Sequence, residues 1–297
     1  MNRLLVALAL ALSACAPAPD SAPPALMRWP DLTGRPSPAA THTIAYGADP
    51  LQVVDLWLPA GAGPHPVVVM VHGGCWRTDI AVRTLMNYVA EDLRQHGLAV
   101  WNIEYRGVDR PGGGYPGTFA DAAAATDALR RAAPQYNLRT DRIAAVGHSA
   151  GGHLALWLAG RAKLPASSPL RTADPLRIDA VVSIGGLPDL AVNATAGDAA
   201  CGADITIAGA ASADRPDIFA DTSPAALLPL GVRQRIVHGA QDRIAPSWLG
   251  RAYATKAAAA GDDVRFIEAP ATGHVELVAP DTPAWATVRG LLIASVR

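Results

Sequence analysis

The pentapeptide Gly147-His148-Ser149-Ala150-Gly151 stands between a short apolar run, Arg142–Val146, and a leucine- and alanine-rich stretch, Gly152–Arg161. Nothing else in the chain limits the fold as tightly. The run before it reads as a buried strand and the stretch after it as a helix. A chain that passes from strand to helix within one residue brings the two elements nearly into collision, so the flanking positions must be small. The residue at the apex is held in strained backbone geometry, with its side chain raised over the end of the sheet. Here that residue is a serine.

A serine hydroxyl becomes a nucleophile only beside a base, and the base needs a carboxylate to hold its tautomer. On a sheet that presents its serine at such a turn, the partners follow in the order serine, acid, histidine. The chain has eight histidines. His42, His65, His72, His96 and His148 precede Ser149, and His153 lies one helical turn beyond it. His238 ends the apolar run Arg235–His238 before any suitable acid. His274 remains, in the loop Ala271-Thr272-Gly273-His274 after the strand Val264–Glu268. The acid belongs in the loop after the preceding strand, where Asp242 stands. Asp262 and Asp263 fall at the wrong end of the last strand, and Glu276 is too near His274 to come from a separate one.

The order of elements predicts an α/β fold: a mostly parallel central sheet with helices on both faces. Strands are expected over Gln52–Leu58, Val67–Val71, Leu98–Glu104, Arg142–Val146, Ala180–Ile184, Arg235–His238 and Val264–Glu268. Helices are expected near Val82–Gln95, Thr118–Arg131, Gly152–Arg161, Pro246–Ala260 and Thr282–Val296. The first strand alternates and reads as antiparallel; Val67–Val71 is β-branched enough to be central. His72-Gly73-Gly74-Cys75-Trp76 follows that central strand, and its glycines free the backbone to turn N–H groups inward. Residues 41–297 suffice for one such domain, with a loop or cap insertion near 186–225.

From about Thr43 onward the chain resembles the α/β-hydrolases of the feruloyl-esterase-like, kynurenine-formamidase-like and hormone-sensitive-lipase-like kind. The likeness is carried by His72–Trp76, Glu104-Tyr105-Arg106, Gly147–His153 and His238–Asp242. It implies a serine hydrolase with Ser149, Asp242 and His274 as catalytic residues. It also implies an oxyanion hole made of the N–H groups of Gly74, Cys75 and Ala150. Trp76, Tyr105 and Tyr115 are candidates for lining the substrate pocket or for packing. The expected reaction is cleavage of a small-molecule carboxylic ester, without cofactor or metal. An arylformamidase or peptidase-like amide hydrolase, and a non-catalytic binding lipoprotein on the same scaffold, are the alternatives. A net charge of −1, with only two lysines, Lys163 and Lys256, offers no basic patch for nucleic acid.

Residues 1–14 carry Arg3 and the apolar run Leu4–Leu12, too short to span a bilayer. Leu12-Ser13-Ala14-Cys15 resembles a bacterial lipobox, which implies lipidation of Cys15 and anchoring in the cell envelope. Plain secretion is the alternative. Residues 15–40, rich in proline and alanine, read as a flexible tether. Export would permit a disulfide between Cys75 and Cys201, and two free thiols remain the other possibility. Asp189 reads as a turn or cap residue, and His148 and His153 as packing around the serine.

Overall fold

The computed structural model describes residues 25–195, 201 and 204–297. The proposed signal segment, Cys15 and the first part of the tether lie outside these residues. Eight strands form one sheet in the order β1-β2-β4-β3-β5-β6-β7-β8. They are β1 His42–Ala45, β2 Val53–Trp57, β3 His65–Val71, β4 Ala99–Ile103, β5 Leu138–His148, β6 Ala180–Ile184, β7 Arg233–Gly239 and β8 Val264–Ala269. β1 and β2 are antiparallel to their neighbours, and the rest of the sheet is parallel.

The alternation of side chains along each strand divides the core. Val67, Val69 and Val71 face one apolar layer with Phe119, Leu154, Trp157 and Tyr253, brought by helices Gly117–Asp127, Ala150–Gly160 and Ser247–Ala259. Val68 and Met70 face the other, with Val89, Leu93, Trp285 and Leu292 from helices Asn87–Gln95 and Pro283–Val296. Burial on both faces explains why β3, β4 and β6 are nearly continuous apolar runs. Register pairs Val71 with Gly147, Gly147 with Ser183, and Gly239 with Ala269. The loops after β3, β5, β7 and β8 therefore leave the sheet along one edge.

Several boundaries move. The strand before the serine runs Leu138–His148, longer than its apolar half, because pairing with β3 continues through polar residues at its start. The expected helix Val82–Gln95 opens as a tight 3-10 turn, Arg83–Met86, and the stretch Thr118–Arg131 divides into Gly117–Asp127 and Leu129–Ala132. β1, a mostly exposed edge strand, carries no apolar pattern to betray it.

The tether is the larger correction. Residues 25–40 are not free chain: Trp29–Thr33 is a helical turn, Leu32 is fully buried, and Trp29 and Thr33 line a cavity with Ser149 and His274 at the carboxyl ends of the strands. The Arg35 guanidinium pairs with Asp281 at 2.9 Å. Tyr88 Oη donates to the Arg35 carbonyl, and Asn87 Nδ2 donates to Ser37 Oγ and the Pro38 carbonyl. A strap that docks through four or five residues spaced among prolines leaves no periodic signal in the sequence.

Candidate active site

Ser149 adopts φ 55° and ψ −123°, a left-handed conformation that costs a non-glycine residue about 1–3 kcal/mol. Its neighbours enforce it. A Cβ on Gly147 would lie 2.0 Å from the Gly151 carbonyl oxygen, and one on Gly151 2.2 Å from that of Val71. The Ser149 N–H is tied to the Ile184 carbonyl at 2.9 Å.

The loops after β7 and β8 are pressed together in the same way. A Cβ on Gly239 would fall 2.3 Å from the Thr272 carbonyl oxygen, and the Gln241 N–H donates to that oxygen at 2.9 Å. This contact sets Asp242 beside His274, with Nδ1 of the imidazole 2.6 Å from Asp242 Oδ2. Asp242 Oδ1 accepts from the N–H groups of Ile244 and Ala245 at 2.8 and 2.9 Å, which holds the carboxylate in place. With the proton on Nδ1, the neutral imidazole carries its lone pair on Nε2. Ser149 and His274 line one cavity of about 350 Å³.

The rival acids are occupied elsewhere. Asp262 accepts from the N–H groups of Leu230 and Gly231, and Asp263 pairs with Arg235. Glu276 accepts from the N–H of Gly273 at 3.0 Å and from that of Met27.

Gly74, Cys75 and Trp76 follow one another at φ 103°, 53° and 55°. The chain after β3 thus bends sharply at three successive residues rather than running on extended. Among the described residues nothing accepts from the N–H groups of Gly74, Cys75 or Ala150. Gly73 lies so close to the elbow that a Cβ there would be 3.0 Å from that of Ser149. The His72 ring props this loop from beneath: Nδ1 is 2.7 Å from the Gly73 carbonyl, and Nε2 is 2.7 Å from Glu104 Oε1. Burial alone would raise the Glu104 pKa, but the His72 ring and the N–H groups of Arg83 and Tyr105 outweigh it and hold the carboxyl below its ordinary range.

Trp76 and Tyr105 are fully buried and line no part of the cavity. The left-handed turn at Trp76 sends the indole under the loop, where Nε1 donates to His153 Nδ1 at 3.1 Å. Tyr105 stacks on His72 at 4.3 Å and donates its hydroxyl to the His72 carbonyl. Both support the loop from its buried side. Tyr115 belongs to a separate hollow, where it hydrogen-bonds Asp221 beneath the Arg215 guanidinium.

The cavity walls come from Trp29, Ile80, Leu85 and Ile244. The sequence pointed to none of them as lining residues: Trp29 sits in the strap, Ile80 and Ile244 in irregular loops, and Leu85 in the tight turn that opens a helix. His148 was expected to pack, and it does: Nε2–H donates to the His274 carbonyl at 3.1 Å, with the two rings 4.3 Å apart. Burial first, then the neighbouring His274 and His238, pushes its pKa well below the usual histidine value. His238 Nδ1–H donates to the Ala245 carbonyl and so braces the Asp242 loop; burial lowers its pKa to about 4. Asp189 caps the helix Leu190–Asn193 through the Val192 N–H. Cys75 and Cys201 are joined by a disulfide, their Cα atoms 5.1 Å apart. Among the described residues no cluster of His, Cys, Asp or Glu has the arrangement of a metal site.

Known proteins share this architecture. Esterase B from Lactobacillus rhamnosis superposes with a TM-score of 0.71 at 20% identity, covering 88% of each chain. A truncated carbohydrate esterase from gut microbiota gives 0.69 at 20% identity, over 87% of this chain and 97% of that one. These likenesses establish the α/β-hydrolase fold. In sequence, the chain is 29% identical over 246 residues to esterase LipC of Mycobacterium tuberculosis, covering 78% of this chain. It spans 58% of that relative's length. The BD-FAE family model matches residues 54–256, a stretch that takes in the left-handed loop, Ser149 and Asp242 and stops short of His274. On that match the chain belongs to the BD-FAE family.

Proposed function

We propose that this protein is a carboxylic ester hydrolase that works by acyl transfer, with Ser149 as nucleophile, His274 as base and then acid, and Asp242 holding the imidazole. The observation that carries this reading is a serine at φ 55° sharing a cavity with a histidine whose Nδ1–H is held by a buried aspartate. Ser149 Oγ adds to the ester carbonyl carbon, and its proton passes to His274 Nε2. The carbonyl oxygen becomes an oxyanion that accepts from the N–H groups of Gly74, Cys75 and Ala150, which have no backbone acceptor among the described residues. As the tetrahedral centre collapses, the alkoxide leaves with the proton from His274. Water then adds to the acyl-enzyme, giving its proton to His274, and the carboxylic acid departs as Ser149 Oγ recovers that proton.

Esters stand ahead of amides because an alkoxide leaves more readily than an amine, and nothing in the cavity is built to receive a peptide terminus. The esterase names of LipC and esterase B support the same order. A fluorophosphonate probe should label the wild type and not Ser149→Ala. Hydrolysis of p-nitrophenyl esters should be lost in the same variant. Absence of labelling in the folded wild type would favour the binding-lipoprotein reading instead.

Arg3, the apolar run to Leu12 and the Leu12–Cys15 pattern support an exported, lipid-anchored enzyme with a signal segment over residues 1–14. Intact-mass measurement of the mature chain tests this: a diacylated N-terminal Cys15 is expected, and an unlipidated chain starting beyond it would mean plain secretion.

A further inference from the structure

The strap that precedes the family-matched region brings Trp29 to the reacting groups. Its ring stands edge-on to those of His148 and His274, with centroids 6.0 and 6.2 Å away. Trp29, Ile244 and His274 line two distinct cavities. The first, of about 350 Å³, also contains Ser149, Gly74 and Cys75; the second, of about 380 Å³, contains neither the serine nor the oxyanion loop and reaches Gln241 and Arg243. Residues common to two adjoining cavities form the wall between them, and Trp29 is the largest of the three.

We propose that Trp29 is the specificity-determining residue of this site: it partitions an acyl compartment from a leaving-group compartment and sets the upper limit on acyl length. This rests on the esterase reading above. The chemistry decides which side is which. Ser149, Gly74 and Cys75 line only the first cavity, so the carbonyl and its acyl chain lie there; the leaving oxygen takes its proton from His274, which borders both, so the alcohol passes beyond His274 into the second. The acyl chain then runs from Ser149 into the first, between Ile80, Leu85 and Trp29. No charged side chain lines that cavity among the described residues, so it suits an uncharged acyl group. Its volume is at the small end for ligand pockets and must also hold the reacting carbonyl, so the group is short.

The wall is registered to the catalytic loop. One carboxylate, Glu276, accepts both from the Met27 N–H in the strap and from the N–H of Gly273, the residue before His274. Leu32, fully buried within the same turn as Trp29, and the Arg35–Asp281 pair fix its far side. Trp29 therefore keeps a set position relative to the imidazole.

The test is the ratio of kcat/KM for p-nitrophenyl octanoate to that for the acetate in the wild type and in Trp29→Leu and Trp29→Ala. The ratio is independent of the fraction of active enzyme, so partial unfolding of a variant does not obscure it. The wild type should prefer the acetate or butyrate. The ratio should rise at least tenfold in Trp29→Ala and by less in Trp29→Leu, following the volume removed. A ratio unchanged within about twofold, whatever happens to overall activity, overturns the proposal, as does a wild type that already prefers the octanoate. If the wild type takes no fluorophosphonate label and cleaves no ester, the esterase reading has failed and this inference falls with it. A labelled, active wild type whose profile ignores Trp29 removes the inference alone.

Discussion

Gly147, Gly151 and Gly239 fix the catalytic edge of the sheet by close backbone approach, whereas the segments that cover that edge are held by a few side-chain contacts and one disulfide. At the edge, a single Cβ in the wrong place would push strand from helix or one loop from the next. Over it, the strap relies on Leu32, Glu276 and Arg35, and the segment carrying Cys201 is bonded to Cys75. Ser149, Asp242 and His274 thus stand where backbone meets backbone most closely. The shape of the cavity is set by parts that arrive from elsewhere in the chain, Trp29 from the strap among them.

Substitutions at the edge should cost most. Ser149→Ala should lower kcat by about a millionfold, the scale seen when a triad nucleophile is removed. The strap and the cover should stay in place, with the melting temperature nearly unchanged; activity within a hundredfold of wild type would mean another nucleophile. Asp242→Asn should lower kcat by about ten-thousandfold, because an amide facing Nδ1 favours the wrong imidazole tautomer. The loop itself should survive, since the remaining oxygen can still accept from Ile244 and Ala245. Asp263→Asn, on the exposed pair with Arg235, is the control, and an equal loss there would break the assignment of the acid.

The same contrast explains what could be read in the sequence. The elbow, the loop after β3, Asp242 and His274 were all legible because each must occupy a fixed place relative to a strand end, and strand ends show as apolar runs. Seven of the eight strands followed from those runs, including the antiparallel character of β2; β1 did not. For Trp76 and Tyr105 the sequence left pocket and packing both open, because an aromatic beside a glycine-rich loop can point to either side of it, and the sign of φ at Trp76 is not written in the motif. The Trp29 wall was hidden for a different reason. Its docking partners, Glu276, Asp281 and Asn87, are far away in the chain and ordinary in type.

Acid should attack the edge before the cover. His148, His153 and His238 are buried and neutral, the first with its pKa well below the usual value and the other two at about 4, in each case chiefly through burial. A histidine whose folded pKa is depressed binds its proton more readily in the unfolded chain. Its contribution to stability is complete above about pH 6.5 and is lost as pH falls from there toward the folded value. All three groups act in the same direction, so the melting temperature should fall steadily as the pH drops through this range. Thermal unfolding followed from pH 7 to pH 4 should show this slope, and His153→Gln should flatten it. A melting temperature constant across that range would mean these rings are not excluded from protonation.

Reduction, conversely, should act through the cover and have the smallest effect on rate. The Cys75–Cys201 bond joins residues 126 apart, and the chain-entropy model gives at most about 5 kcal/mol for closing a loop of that length. Its influence on turnover has a separate route. Cys75 sits at φ 53° in the left-handed loop, and its N–H is one of the three proposed oxyanion donors. His72, Trp76 and Tyr105 support the loop from below, so releasing Cys201 should loosen it without dismantling it. A displaced donor weakens a contact that matters most when the oxygen is charged, so the loss should appear in kcat rather than in KM. Cys201→Ser, in an enzyme otherwise wild type, should lower kcat about tenfold with KM within about twofold. Equal changes in both constants would point to a disturbed substrate pocket. An unchanged kcat, with the free thiol of Cys75 titrated in the native protein, would show that the supports beneath the loop suffice and that the covalent link belongs to the cover alone.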